Sequence, residues 1–109
     1  MAGDLGHAPV YAMARSIVVE WSQDALDDLE RFAAFLQQHH PELAGTVAQE
    51  IMARAEVLSE FPRLGRPLAK RKEYRQLVLQ VLNAPYVFQY RFADEHLAIL
   101  RVFHGREAR

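Results

Sequence analysis

An α+β domain is what this sequence predicts, with a helix hairpin packed on one face of a mainly antiparallel sheet in the order β-α-α-β-β-β. Three observations lead there. Two adjoining stretches, residues 22–40 and 41–61, carry apolar residues at three-and-four spacing. Three later runs, residues 74–82, 86–92 and 97–103, are rich in β-branched and aromatic residues and are separated by turn-forming ones. A short β-branched run, residues 16–21, precedes the helices, and no repeat, linker or low-complexity stretch divides the whole. One domain over residues 16–109 is therefore expected. Residues 1–15 show no periodicity and contain Gly3, Gly6 and Pro9. They read as a disordered leader, or as a remnant ahead of a true start at Met13.

Ser16 to Trp21 is the first strand, and Ser22 follows as a helix N-cap. Its hydroxyl can accept from a free N–H of the first turn, while Asp24, Asp27 and Asp28 suit the positive end of the helix dipole. Ala25, Leu26, Leu29, Phe32, Ala33 and Leu36 form one stripe, which stops at His39-His40-Pro41. Pro41 is well placed in the first turn of a second helix, whose buried face is Ala44, Val47, Ala48, Ile51, Ala55 and Leu58 and which ends before Pro62. Phe61 to Pro67 reads as a loop, shaped by Gly65 and Pro67, in which Arg63 and Arg66 cover free carbonyls of the helix end. Tyr74 to Leu82, Tyr86 to Phe92 and Leu97 to Phe103 then make a meander, turning at Asn83-Ala84-Pro85 and at Asp94-Glu95-His96. Tyr86, Phe88, Tyr90 and Phe92 alternate and so share the core face. Val87, Gln89 and Arg91 are left for the opposite face, where a partner is expected.

Composition excludes several classes of function. With no cysteine there is no disulfide framework, thiolate nucleophile or thiolate metal site. His39 and His40 are adjacent, and His7, His96 and His104 lie in separate segments, so no metal-ligand spacing is present and no cofactor is implied. Ser16, Ser22, Thr46 and Ser59 lie in no Gly-flanked elbow, which leaves no hydrolase triad. No stretch approaches the roughly 20 apolar residues of a membrane span, and no signal peptide is recognisable, so a cytoplasmic location is expected.

The net charge of −1 hides an uneven distribution. From Ser16 to Phe61 nine acidic residues face two basic ones; from Pro62 to Arg109 ten basic residues face four acidic ones. Two readings stand beside each other: a cationic face for a nucleic acid or an acidic partner, and acidic helix surfaces balanced by the sheet.

Five motifs, in order, carry a family likeness. They are Val19-Glu20-Trp21-Ser22 before an Ala25-Leu26-x-x-Leu29 helix, Phe61-Pro62-x-x-Gly65-Arg66-Pro67, Tyr74-Arg75-x-Leu77-Val78, Pro85-Tyr86-Val87-x-x-x-Tyr90-Arg91, and Ile99-Leu100-Arg101-Val102-x-His104-Gly105-Arg106. Over roughly residues 16 to 107 the chain resembles the ParE branch of the RelE/ParE toxin superfamily, the plasmid-stabilisation toxins of type II toxin–antitoxin systems. The resemblance implies a bacterial toxin held inactive by a co-expressed antitoxin. ParE members inhibit DNA gyrase, whereas RelE members cut messenger RNA on the ribosome.

Cleavage of RNA through its 2′-hydroxyl needs a general base, a general acid and cations on the developing charge. His104, Arg106 and Arg75 are the candidates, alongside Lys70, Lys72, Arg91 and the phenols of Tyr86 and Tyr90. The chain ends three residues after Arg106, without the aromatic or acid–base tail that a RelE-like nuclease implies. Inhibition of gyrase, or of the gyrase–DNA complex, by binding is the expected activity, with Arg91, Arg101, Arg106 and Arg109 as target-facing cations. RNA cleavage is the alternative, and a non-toxic relative that acts only as a binding module is a third. His104-Gly105-Arg106 also has a purely structural reading: Gly105 ends the strand with φ > 0, His104 satisfies a carbonyl and Arg106 pairs with a helix carboxylate. The antitoxin implied is ParD-like, with an acidic amphipathic segment that folds against the helix hairpin and a sheet edge to give a hetero-oligomer. Phe35, Leu36, Leu43 and Val47 are its expected anchors, Phe35 because it lies off the main stripe.

Overall fold

A computed structural model describes residues 16–107 of the chain. A strand, β1 (Val19–Trp21), leads into a long helix, α1 (Gln23–His39). Short helices α2 (Pro41–Ala44), α3 (Val47–Ala55) and α4 (Val57–Glu60) follow. Four strands complete the fold: β2 (Arg66–Leu68), β3 (Arg71–Val81), β4 (Ala84–Ala93) and β5 (His96–His104). The sheet order is β1-β5-β4-β3-β2, antiparallel throughout except that β1 lies parallel to β5. Return to a parallel neighbour requires a crossover, and the helices supply it.

Ser22 sits at the joint between sheet and helix. Its Oγ accepts from the Ala25 N–H at 3.0 Å, as an N-cap does, and donates to the Leu100 carbonyl at 3.0 Å, while its own N–H bonds to the Ile99 carbonyl. The cap therefore also fixes where α1 leaves β5. Ala25, Leu29 and Phe32 of α1, with Val47, Ile51, Ala55 and Leu58 of the later helices, close over Phe88, Tyr90, Leu97, Ile99 and Val102.

The second helix is not continuous. It breaks at Gly45-Thr46, where the Thr46 hydroxyl donates to the Leu43 carbonyl, a local bond that competes with helix propagation. It tightens again at Glu56, whose N–H reaches back three residues to Ala53. The Pro/Gly segment also holds a strand that the alternation rule does not reveal, since β2 is three residues long and contains Pro67. Proline is tolerated there because β2 is an edge strand. Both later turns are shorter than expected. Leu82-Asn83 and Asp94-Glu95 all have positive φ, which is the two-residue hairpin geometry matched to strand twist, and Ala84 and Pro85 already belong to β4.

The aromatic row lies as its alternation implied, with Tyr86, Phe88, Tyr90 and Phe92 all buried. On the opposite face Val87 is also buried, flanked by Val78 and Phe103 on the neighbouring strands, so it is not open to a partner; Arg91 is. Residues 1–15 and Arg109 lie outside the described residues.

Candidate functional site

A concavity of the described surface lies at the end of the sheet where β3 turns into β4. It is a groove of about 650 Å³ between α1, the α1–α2 corner and the last residues described. Its floor is apolar. Phe32 and Leu36 come from α1, Leu43 from α2, Leu82 and Pro85 from the hairpin turn, and Tyr86 from β4. Its rim is polar, with Arg31 and His40 on the helix side and His104, Arg106 and Glu107 on the C-terminal side.

Gly105 shapes that C-terminal side by close approach. Its N–H donates to the Pro85 carbonyl at 2.8 Å, and a Cβ there would lie 2.8 Å from Pro85 Cγ. None of the described glycines has positive φ, so contact, and not the left-handed backbone expected of Gly105, explains the residue. The His104 ring packs edge-on to Tyr86 at 5.2 Å, and its Nδ1 accepts from the Arg106 N–H at 3.1 Å. That bond assigns the hydrogen of the neutral imidazole to Nε2, so the ring offers the groove a donor. Burial pushes the Tyr86 phenol up, and the Glu107 carboxylate adds to the effect.

Glu107 fastens the tail. One carboxylate oxygen accepts from the His104 N–H at 2.6 Å and the other pairs with Arg31, so Glu107, and not Arg106, makes the ion pair with the helix. Arg31 also bonds Asp28 at 3.0 Å, and Arg101 holds the same carboxylate through Nε at 2.8 Å and a terminal nitrogen at 3.0 Å. The Val102 N–H is a fourth donor to Asp28, at 2.8 Å. β1 covers only residues 97–99 of β5, and this cluster satisfies the backbone of the uncovered edge. Burial alone would raise the Asp28 carboxyl, but bonds from Arg101, Val102 and Arg31 hold it below its ordinary value.

Of the three residues expected to cleave RNA, His104 and Arg106 adjoin at the groove and Arg75 stands apart. His104 pairs with Tyr86 of β4 and Arg75 with Tyr90, four residues further along that strand, which is about 13 Å at the rise of a β-strand. Arg75 instead donates to the carbonyls of Gly65 at 2.7 Å and Arg63 at 3.2 Å, the loop-holding part expected of Arg63 and Arg66. The Tyr90 hydroxyl completes that tie, donating to the Pro62 carbonyl at 2.8 Å and accepting from the Gly65 N–H at 2.9 Å.

The expected target-facing cations also part company. Arg101 is committed to Asp28, Arg106 stands exposed at the groove rim, and Arg91 lies at the opposite end of the sheet, 6.0 Å from the Tyr74 ring. Three of the four expected antitoxin anchors fit an interface. Phe35 is 58% exposed and stacks on His39, and Leu36 and Leu43 are half-buried in the groove. Val47 is not an anchor: it is fully buried in the core, because the kink at Gly45-Thr46 turns its side of the hairpin inward. Sequence reasoning missed the Asp28 cluster. Asp28 and Arg31 show helical pairing, but nothing local announces Arg101 as the partner.

Residues 19–109 match the family model described as the ParE toxin of the type II toxin–antitoxin system parDE. The chain belongs to the ParE toxin family. Among curated relatives of this ParE-family chain, Toxin RelE3 of Caulobacter vibrioides is 32% identical over 91 residues, covering 84% of this chain and 97% of that protein. Toxin RelE2 of the same organism is 33% identical over 87 residues, covering 80% and 93%. The fold is that of the chromosomal ParDE toxin–antitoxin system of P. aeruginosa, with a TM-score of 0.66 at 20% identity, over 83% of this chain and 97% of the other. A toxin–antitoxin complex, RelBE2 of Mycobacterium tuberculosis, matches with a TM-score of 0.51 at 26% identity, over 82% and 98%. The ParE-family chain is thus the toxin of a type II system, and no helix among its described residues is long and apolar enough to cross a membrane.

Proposed function

We propose that this toxin acts in the cytoplasm by binding, that its target is DNA gyrase or the gyrase–DNA complex, and that a ParD-like antitoxin neutralises it. The observation that carries the reading is the state of His104. His104 Nδ1 is engaged by the Arg106 N–H, and Arg75, another of the candidate groups, sits on the far side of β4, offset by about 13 Å along the strand and bonded to backbone carbonyls. Of the three candidate groups only His104 and Arg106 stand at this end of the sheet, which favours binding over cleavage.

The groove supports the antitoxin half of the reading. Its apolar floor suits the buried face of an amphipathic segment, and the exposed cation Arg106 on its rim suits an acidic one. Phe35 beside it is the exposed anchor. The resemblance of the curated relatives, both named RelE toxins, keeps RNA cleavage as the competing activity.

Supercoiling of relaxed plasmid by gyrase, in the presence of the antitoxin-free chain, tests the proposal. The expected result is lost supercoiling, with or without accumulation of cleaved DNA. Intact supercoiling together with cleavage of ribosome-bound messenger RNA would establish the RelE-like activity instead. Intact supercoiling and intact RNA from folded protein would leave a binding module.

A further inference from the structure

At the end of the sheet away from the groove, the helix-free face carries a cluster of cations. Residues paired across adjacent strands share a face, so Arg66 on β2 stands in one row with Gln76, Gln89 and Arg101, and Arg91 on β4 stands beside Tyr74 in the next row. Lys72 falls on the same side by alternation with Tyr74, and Arg71 leans over the Tyr74 ring at 4.8 Å. Arg66, Arg71, Lys72 and Arg91 are all exposed. Glu73 is bonded to Arg71, Asp94 and Glu95 are confined to the β4–β5 turn, and Glu20 of β1 stands in the row of Arg91 beyond Ala98, so four exposed cations still outnumber the carboxylates on the face itself.

We infer that this face binds the phosphate backbone of duplex DNA. The inference goes beyond gyrase inhibition while fitting it, since a toxin of the gyrase–DNA complex gains by touching the DNA directly. Two features favour a duplex over a single strand. Single-stranded nucleic acid is held by bases stacked on open aromatic faces. Here the aromatic ring among the cations, Tyr74, is already covered by Arg71 at 4.8 Å and flanked by Arg91 at 6.0 Å. What remains on offer is a set of guanidinium and ammonium groups on neighbouring strands, and these match phosphates whose bases are turned inward.

The test is fluorescence anisotropy of a labelled 20-base-pair duplex across a salt series, with single-stranded RNA of equal length as competitor. Binding should weaken steeply with salt, and Arg66→Ala/Lys72→Ala/Arg91→Ala should flatten the slope of log K against log salt by about 2.7, at about 0.9 per phosphate contact. Arg66→Lys/Arg91→Lys, which keeps the charge, should hold the slope, and Arg54→Ala on the helix side should leave it unchanged. Equal binding by the triple alanine variant, tighter binding of the RNA, or no duplex binding at low salt would each overturn the inference. Duplex binding by the native chain without any inhibition of gyrase would instead count against the gyrase reading alone.

Discussion

The two ends of this sheet are built from similar residues and use them in opposite ways. At the Pro/Gly loop, Arg75 and Tyr90 spend their donors on the backbone of residues 62–65, and Gly65 is pressed so closely that a Cβ would stand 2.8 Å from both the Gln76 carbonyl and the Tyr90 hydroxyl. At the groove, Arg106 stays exposed, and the tail is held by side-chain bonds from Glu107 to Arg31 and to the His104 N–H. An arginine here is structural where a strand or loop leaves carbonyls or a carboxylate within its reach, and open to a partner where it does not. Residue type alone does not separate Arg75 and Arg101 from Arg91 and Arg106.

Gly65→Ala should break the contrast most severely. The added methyl meets backbone that cannot yield, so a loss of about 3 kcal/mol is expected in urea unfolding. Gly45→Ala, where nothing lies within 4 Å and φ is −77°, should instead be neutral or stabilising by up to about 1 kcal/mol. Equal effects at the two glycines would mean that the loop is not packed as described.

Asp28→Asn should cost about 2–3 kcal/mol, because one buried N–H and two arginines, themselves partly open to water, lose their charged acceptor. The carboxyl is held below its ordinary 3.8, so its stabilisation is complete above that value and disappears as pH falls through the lower folded-state value. Urea midpoints should therefore drop on acidification in the native chain, and less so in the variant. A variant with an undiminished acid slope would place the titration elsewhere.

Tyr90→Phe removes the hydroxyl that joins Pro62 to Gly65 and should cost about 1–2 kcal/mol. Burial pushes that phenol up, so the hydroxyl bond should persist well into alkaline solution, readable in the difference between the ultraviolet titrations of the native chain and Tyr90→Phe. Phe35→Glu sits at the other pole. Melting should move by no more than about 0.5 kcal/mol in equivalent stability, since the ring is exposed, yet titration with the cognate antitoxin should show at least about tenfold weaker binding. Unchanged antitoxin affinity would remove Phe35 from the interface.

Much of this was legible without coordinates, because it rests on local rules. Periodicity placed α1, β3, β4 and β5, the hydroxyl of Ser22 marked the start of α1, and alternation put Tyr86, Phe88, Tyr90 and Phe92 on the core side. Phe35 off the stripe announced an exposed ring for the same reason. The strand β2 was hidden because three residues with a proline carry no period, and the break at Gly45-Thr46 because a helix pattern survives a brief interruption. The fate of each arginine was settled only in three dimensions. Asp28 meets Arg101 across 73 residues of chain, and Arg75 meets the Pro/Gly loop through a strand pairing that no local pattern specifies. Apolar spacing decides which way a segment faces, since burial acts on every residue of it alike. Which carbonyl or carboxylate a long cationic side chain can reach depends on register between distant strands, and only the folded sheet sets that.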